Sequence, residues 1–297
     1  MGNYQISEKN EFQKNRIPYS TENGDFLFEV VESEQRNKAN DVYFHTPVDS
    51  IRITLCEPEE PTPEQMDDFI QKMGHIEKAI ATQNITEYIK FVDIKTIIDY
   101  YWIEEFVSNP DLHTGSVFFT IHDGILRGGP VWDFDLSLGN TVSATKASTK
   151  KFNAQRTWWN ILFQDSVFQK IAYERYLQIE PYFDNLANDN ELGKNKIDSI
   201  VDFFHESFSR NYSDSGWAYC DTTEAANLQE KRQLNCLFNP TPLPTFNENV
   251  QFLREWITNR NLYLKENVSS RLKKLSHINF TLDQILAIQD SVLNSKP

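Results

Sequence analysis

Hydrophobic positions recur with a period of two near the start of this chain and with a period close to 3.6 through most of the remainder. Residues 3–8 (NYQISE), 26–31 (FLFEVV) and 51–55 (IRITL) alternate apolar with polar side chains, the pattern of half-buried strands. Glu22-Asn-Gly-Asp25 reads as a turn. Thr62-Pro63-Glu64-Gln65 then predicts a helix start, with threonine as N-cap, proline in the first turn and glutamine placed to complete a capping box. Met66, Phe69, Ile70, Met73, Ile76 and Ile80 continue this helix along one face. Ile94, Ile97, Ile98, Tyr101 and Trp102 mark a second helix ending near Asn109-Pro110.

Residues 116–121 (SVFFTI) read as a strand, His122-Asp123-Gly124 as a turn and Ile125-Leu126-Arg127 as the return strand. After about residue 155 the chain is helical. Phe168, Ile171, Ala172 and Tyr176 share one face, and Ile197, Ile200, Val201 and Phe204 another. Thr245-Phe-Asn-Glu248 opens a long helix striped by Val250, Leu253, Ile257, Leu264, Val268, Leu272 and Leu275. Thr281-Leu-Asp-Gln284 caps a short closing helix. A β-rich front before a mostly helical body predicts an α+β fold.

Composition narrows the function classes. The 297 residues suit one large domain or two moderate ones, and 39% hydrophobic with 13% aromatic residues is enough for a packed core. A net charge of −14 argues against binding nucleic acid or an anionic membrane, because such a chain repels phosphate backbones. No apolar run is long enough to cross a membrane, and the polar segment from Met1 to Arg16 does not resemble a signal peptide. Cys56, Cys220 and Cys236 are too few for a disulfide framework or a zinc site and read as free thiols, with a Cys220–Cys236 pair as the alternative.

The segment from Gly128 to Asn140, GGPVWDFDLSLGN, carries the chemistry. It reads as a glycine-proline turn, a short buried strand through Val131 and Trp132, and two carboxylates, Asp133 and Asp135. If the hairpin turns at Asp123-Gly124 and its pairing continues, Ser116 faces Val131 and Thr114 faces Asp133. Asp111 then lies at the same open end, so Asp111, Asp133 and Asp135 converge on one rim. Crowded like charges are tolerated best around a cation, and an all-oxygen ligand set favours magnesium, manganese or calcium over zinc. The bland alternative is a set of loop and N-cap aspartates. His113 and His122 flank the hairpin and read as solvated polar residues, Trp132 and Phe134 as core, and Arg127 either as a phosphate contact or as a surface strand residue.

Taken in order, several segments resemble the CotH kinase family, named for spore coat protein H. They are Asn3-Tyr4 through Glu8 with Lys14-Asn15-Arg16, Asn109-Pro-Asp111 with Ser116-Val-Phe-Phe119, and Gly129-Pro-Val-Trp-Asp-Phe-Asp135 with Gly139-Asn140. Trp159-Asn-Ile-Leu through Asp165 and Phe168, and the segment from Arg254 to Leu264, complete the series. The resemblance implies an atypical protein-kinase-like fold, with residues 1–60 as part of a β-rich small lobe. Residues 61–297 would form a mainly helical large lobe carrying the acidic hairpin, 109–140. It implies phosphate transfer from ATP, with Mg2+ (or Mn2+ or Ca2+), to serines of a protein substrate. Asp111 would orient or deprotonate the acceptor hydroxyl, Asp133 would bind metal, and Asp135 would bind a second ion or cap the next turn. Ser116 stands where a metal-ligating asparagine is expected, and Glu8 and Arg127 are candidates for the nucleotide side.

The match begins inside its first segment, so the lysine-bearing strands of a small lobe are expected to lie outside this sequence, and ATP binding by the chain alone to be weak. The resemblance points to a spore surface, cell envelope or exterior. Two rival functions suit the same scaffold: a noncatalytic surface-binding protein, and a phosphohydrolase using Asp111 and Asp133 without a nucleotide.

Overall fold

The computed structural model describes residues 9–31, 42–140, 148–152, 154, 156–214 and 246–294. The expected strand at 3–8, Glu8, Cys220, Cys236 and Thr245 lie outside these residues. Cys56 forms no disulfide among the described residues.

Five antiparallel strands form one sheet in the order β2-β3-β1-β4-β5. They are β1 (Phe26–Val30), β2 (Tyr43–His45), β3 (Arg52–Glu57), β4 (Val117–His122) and β5 (Ile125–Gly128). The first sixty residues and the hairpin therefore meet in a single sheet, through β1 pairing with β4. Alternation in 26–31 predicts a half-buried strand, but every residue of β1 is buried. Its position between β3 and β4 is the reason: a central strand has no edge, and here both faces are covered. The turn before it is a 3-10 turn, Thr21–Asn23, closed by Gly24 at φ +73°. That left-handed backbone favours glycine.

Helix α1 (Pro63–Ala81) starts where the capping box predicts. Thr62 Oγ1 accepts from Gln65 N at 3.2 Å, and Gln65 Oε1 accepts from Thr62 N at 2.9 Å. Its buried face (Phe69, Met73, Ile76, Ile80) lies on the sheet, where the Phe69 ring meets Phe26, Phe28 and Phe44 edge-on. A single turn, α2 (Ile85–Tyr88), leads to α3 (Ile94–Val107). Helix α3 buries residues on all sides, Tyr100, Tyr101, Trp102 and Phe106 included, which makes it the central helix of the body.

Around it stand α4 (Thr157–Leu162), α5 (Ser166–Ala187), α6 (Lys196–Phe203), α7 (His205–Asp214), α8 (Phe246–Lys274) and α9 (Leu282–Asn294). The stripe expected for α5 is buried (Phe168, Ile171, Ala172 and Tyr176), and that for α8 is buried at Ile257, Leu264 and Val268 and half-buried at Val250, Leu253, Leu272 and Leu275. The capping box at Thr281 and Gln284 is present. Buried Gln289 docks α9 by accepting from Ile94 N and donating to the carbonyls of Ile89 and Val92. Helix α6 departs from its stripe: Ile197 is buried, but Ile200 and Phe204 are exposed.

Candidate active site

The site is built from two chain reversals that meet at the start of β4. The first leaves α3. Ser108 closes that helix in the left-handed conformation, and Asp111 opens a short 3-10 turn, Asp111–His113. The Asp111 carbonyl accepts from Thr114 N at 2.7 Å and Gly115 N at 2.9 Å, and its carboxylate Oδ1 accepts from Thr114 Oγ1 at 3.3 Å. Asp111 N–H donates to Asn109 Oδ1 at 3.0 Å. The backbone carrying this aspartate is thus pinned on both sides, and the residue is buried.

The second reversal leaves β5. Hairpin register follows the Asp123-Gly124 turn as expected, with His122 opposite Ile125 and Phe119 opposite Gly128. Both turn residues take positive φ, the geometry that suits a two-residue hairpin. The extension beyond Gly128 is different. Pairing ends with Gly129 N donating to Phe118 O, and residues 130–134 form a loop, not a buried strand. Val131 is exposed, and Trp132 and Phe134 are half-buried rather than core. Thr114 and Asp133 are therefore not a ladder pair. Asp133, at φ +60°, instead turns its carboxylate back so that Oδ2 accepts from Ser116 Oγ at 3.3 Å.

The far end of the loop is anchored to the helices. Leu138 N donates to Val107 O at 2.8 Å, at the end of α3. Gly139, at φ +85°, lies against the Trp256 ring of α8 so closely that a Cβ would come within 2.5 Å of it. Only glycine fits there without displacing the loop.

Asp111, Asp133 and Asp135 do come together. The Asp135 carboxyl is pushed above the usual carboxylate range, first by partial desolvation at the rim, then by the charge of Asp133 and, more weakly, that of Asp111. Asp111 is buried, whereas Asp133 and Asp135 are exposed, so two of the three carboxylates are open to solvent. Ser116 sits between the two reversals: its Oγ meets Asp133, and its N–H donates to Glu29 Oε1 at 2.7 Å. Glu29, from β1, is a buried acid at the site that the strand pattern gave no reason to single out.

Two other candidates are placed elsewhere. Arg127 is bound to Asp93 at 2.6 Å, which ties β5 to the N-terminus of α3 and balances its charge there. His122 is not a solvated turn residue: it stacks on Tyr19 with centroids 4.0 Å apart and lies 3.0 Å from buried Asp25. Asp25, His122 and Asp123 are the one trio of metal-ligating residue types among the described residues whose ligand atoms all fall within 4.8 Å of each other. The rim aspartates are set wider. Asp25 also accepts from Ser20 N and Asp123 N, so this trio ties two turns together.

Behind Asp111 stands a fully buried acid, Glu104. Its carboxyl is raised to about 7, chiefly by burial, with the charge of Asp111 adding to the shift and bonds from Asn109 and Tyr100 opposing it. The folded state therefore holds a proton that the unfolded chain releases near pH 4.5. Stability contributed by this group is present below that value and is lost as pH rises toward 7. Half-exposed Asp49, raised to about 6 by burial and by Glu77, acts in the same direction. Glu104→Gln removes only the first contribution. Denaturant unfolding at pH 5 and pH 8 should show the variant gaining roughly 2–3 kcal/mol on the parent across that interval. Parallel pH profiles for the two proteins would contradict this.

An α+β body in which a central helix delivers one aspartate to a rim shared with a second acidic loop has a kinase-like layout. A family model described as CotH kinase protein matches residues 2–264, and the chain belongs to that family. Searches of curated proteins and of solved structures return no match.

Proposed function

We propose that this chain acts as a metal-dependent protein serine kinase that transfers phosphate from ATP. The observation that carries the reading is the meeting of Asp111, Asp133 and Asp135 with Ser116 at the start of β4, in a chain of the CotH kinase family. Asp133, Asp135 and the Ser116 hydroxyl offer only oxygen ligands, two of them on exposed residues, which suits Mg2+ with its retained waters. When bound there, such an ion would neutralise charge on the ATP phosphates. In this reading Asp111, held by backbone bonds on both sides, orients a serine hydroxyl and accepts its proton on a carboxylate oxygen. Phosphoryl transfer asks for positioning and charge neutralisation more than covalent chemistry, and this set of groups supplies both.

Binding of a non-hydrolysable ATP analogue should require Mg2+ or Mn2+ and be lost in Asp133→Ala while the fold is retained. Equal metal-independent binding by both proteins would overturn the metal assignment. Release of free phosphate with no acceptor protein would replace the kinase reading with a phosphohydrolase, and a folded chain with no nucleotide binding would favour a noncatalytic binding role.

A further inference from the structure

Buried carboxyls are expensive, and the one at position 104 has no local reason to be there. Glu104 lies in the last turns of α3 and is fully shielded from solvent, as is Asn109 five residues later. One oxygen, Oε2, accepts from Asn109 Nδ2 at 2.9 Å. The other, Oε1, has no well-formed hydrogen bond among the described residues. The Tyr100 hydroxyl, which accepts from Phe118 N at 3.1 Å, also acts on this carboxyl.

The consequence falls on Asn109. A side-chain amide can face either way, donating from one end and accepting at the other. With Glu104 Oε2 accepting, Asn109 presents its Nδ2 inward and its Oδ1 outward. That oxygen then takes the Asp111 N–H at 3.0 Å and sets the start of the 3-10 turn. A leucine at position 104 would fill similar space but remove the oxygen that accepts from Asn109 Nδ2.

We infer that Glu104 is a positioning residue for Asp111: acting through the Asn109 side chain, it fixes the backbone that carries the carboxylate facing the acceptor hydroxyl. The catalytic consequence rests on the role given to Asp111 above, whereas the positioning itself does not.

The test uses the full chain with Glu104→Met, Glu104→Gln and Asn109→Ala. Methionine is flexible enough to fill the site without an acceptor, and glutamine keeps an acceptor oxygen. Amide hydrogen exchange is followed at Asp111, with the amides of β4 as internal controls. Exchange at Asp111 should quicken about tenfold or more in Glu104→Met and Asn109→Ala, and return to within about threefold of the parent in Glu104→Gln. In phosphate transfer, kcat should fall roughly tenfold to a hundredfold in the first two variants while KM for ATP stays constant, with Glu104→Gln again restoring it. Unchanged Asp111 exchange in Glu104→Met, or glutamine behaving like methionine, overturns the inference. If Glu104→Met fails to fold, the decision passes to Asn109→Ala together with Glu104→Gln. If the parent transfers no phosphate, the kinase reading falls and the exchange data alone decide the positioning role.

Discussion

Asp111→Asn is expected to lower phosphate transfer by about 10²–10⁴-fold while leaving Mg2+-dependent ATP-analogue binding near that of the parent chain. The substitution is nearly isosteric. It keeps the backbone bonds that pin this residue, from Asp111 N to Asn109 Oδ1 and from Thr114 N and Gly115 N to Asp111 O. It also keeps an oxygen for Thr114 Oγ1. What it removes is a carboxylate able to take a proton from a serine hydroxyl. Asp133→Ala behaves differently, since it acts on metal-dependent nucleotide binding first. This difference separates the roles: a base affects kcat, whereas a metal ligand affects both binding and turnover. If Asp111→Asn transfers phosphate at the parent rate, Asp111 is not the acceptor-orienting group. If it abolishes nucleotide binding as Asp133→Ala should, the two aspartates act together in binding, and the division of labour is wrong.

The largest effect on stability is expected at Arg260, the fully buried guanidinium of α8. It donates to the carbonyls of Thr149 at 3.1 Å and Lys151 at 2.5 Å, to those of Phe106 and Glu105 at the end of α3, and to Glu105 Oε1 at 2.5 Å. The other carboxylate oxygen of Glu105 accepts from Ala154 N at 2.7 Å. One ion pair therefore joins α8, the end of α3 and the segment preceding α4. Arg260→Met takes the guanidinium away from buried Glu105 and strands several carbonyls. Denaturant unfolding should register a loss of about 3–5 kcal/mol. Adding Glu105→Gln to that variant should recover part of the loss, because the buried charge that faced Arg260 disappears while a side-chain acceptor for Ala154 N remains. A loss below about 1 kcal/mol, or no recovery in the double variant, would show that the pair contributes little.

Several features of the fold were legible in the residues themselves, and each is local. The capping boxes at Thr62 and Thr281 depend on side chains three positions apart, so a short segment specifies them. Asp123-Gly124 imposes the hairpin because both residues tolerate positive φ, and the register follows from the turn. Helical stripes on α1, α5 and α8 reflect a periodicity that survives whatever packs against them. Local inference failed where a neighbour distant in the chain decides the outcome. Strand β1 alternates as a half-buried strand would, yet between β3 and β4 it is buried completely. Extending the hairpin register past Gly128 predicted a ladder that ends there, although the same three aspartates still meet.

For the candidate site the division is similar. Residue types at 111, 116, 133 and 135, with their spacing around one hairpin, pointed to an acidic rim at the start of β4. The sequence alone determined the paired part of the hairpin, as far as Gly128, because turn chemistry sets that short-range geometry, whereas the loop that turns Asp133 back to Ser116 lies beyond the ladder. Tertiary structure decided which groups support the rim: Glu29 from β1 on Ser116 N, Glu104 and Asn109 behind Asp111, and Trp256 of α8 against Gly139. It also paired Arg127 with Asp93 and His122 with Asp25. A buried polar side chain is tolerated only where a partner meets it, and that partner usually comes from another element, so no local pattern reveals it. The acidic rim could be read in one segment of chain, but the framework that holds it exists only once the sheet and α3 are packed together.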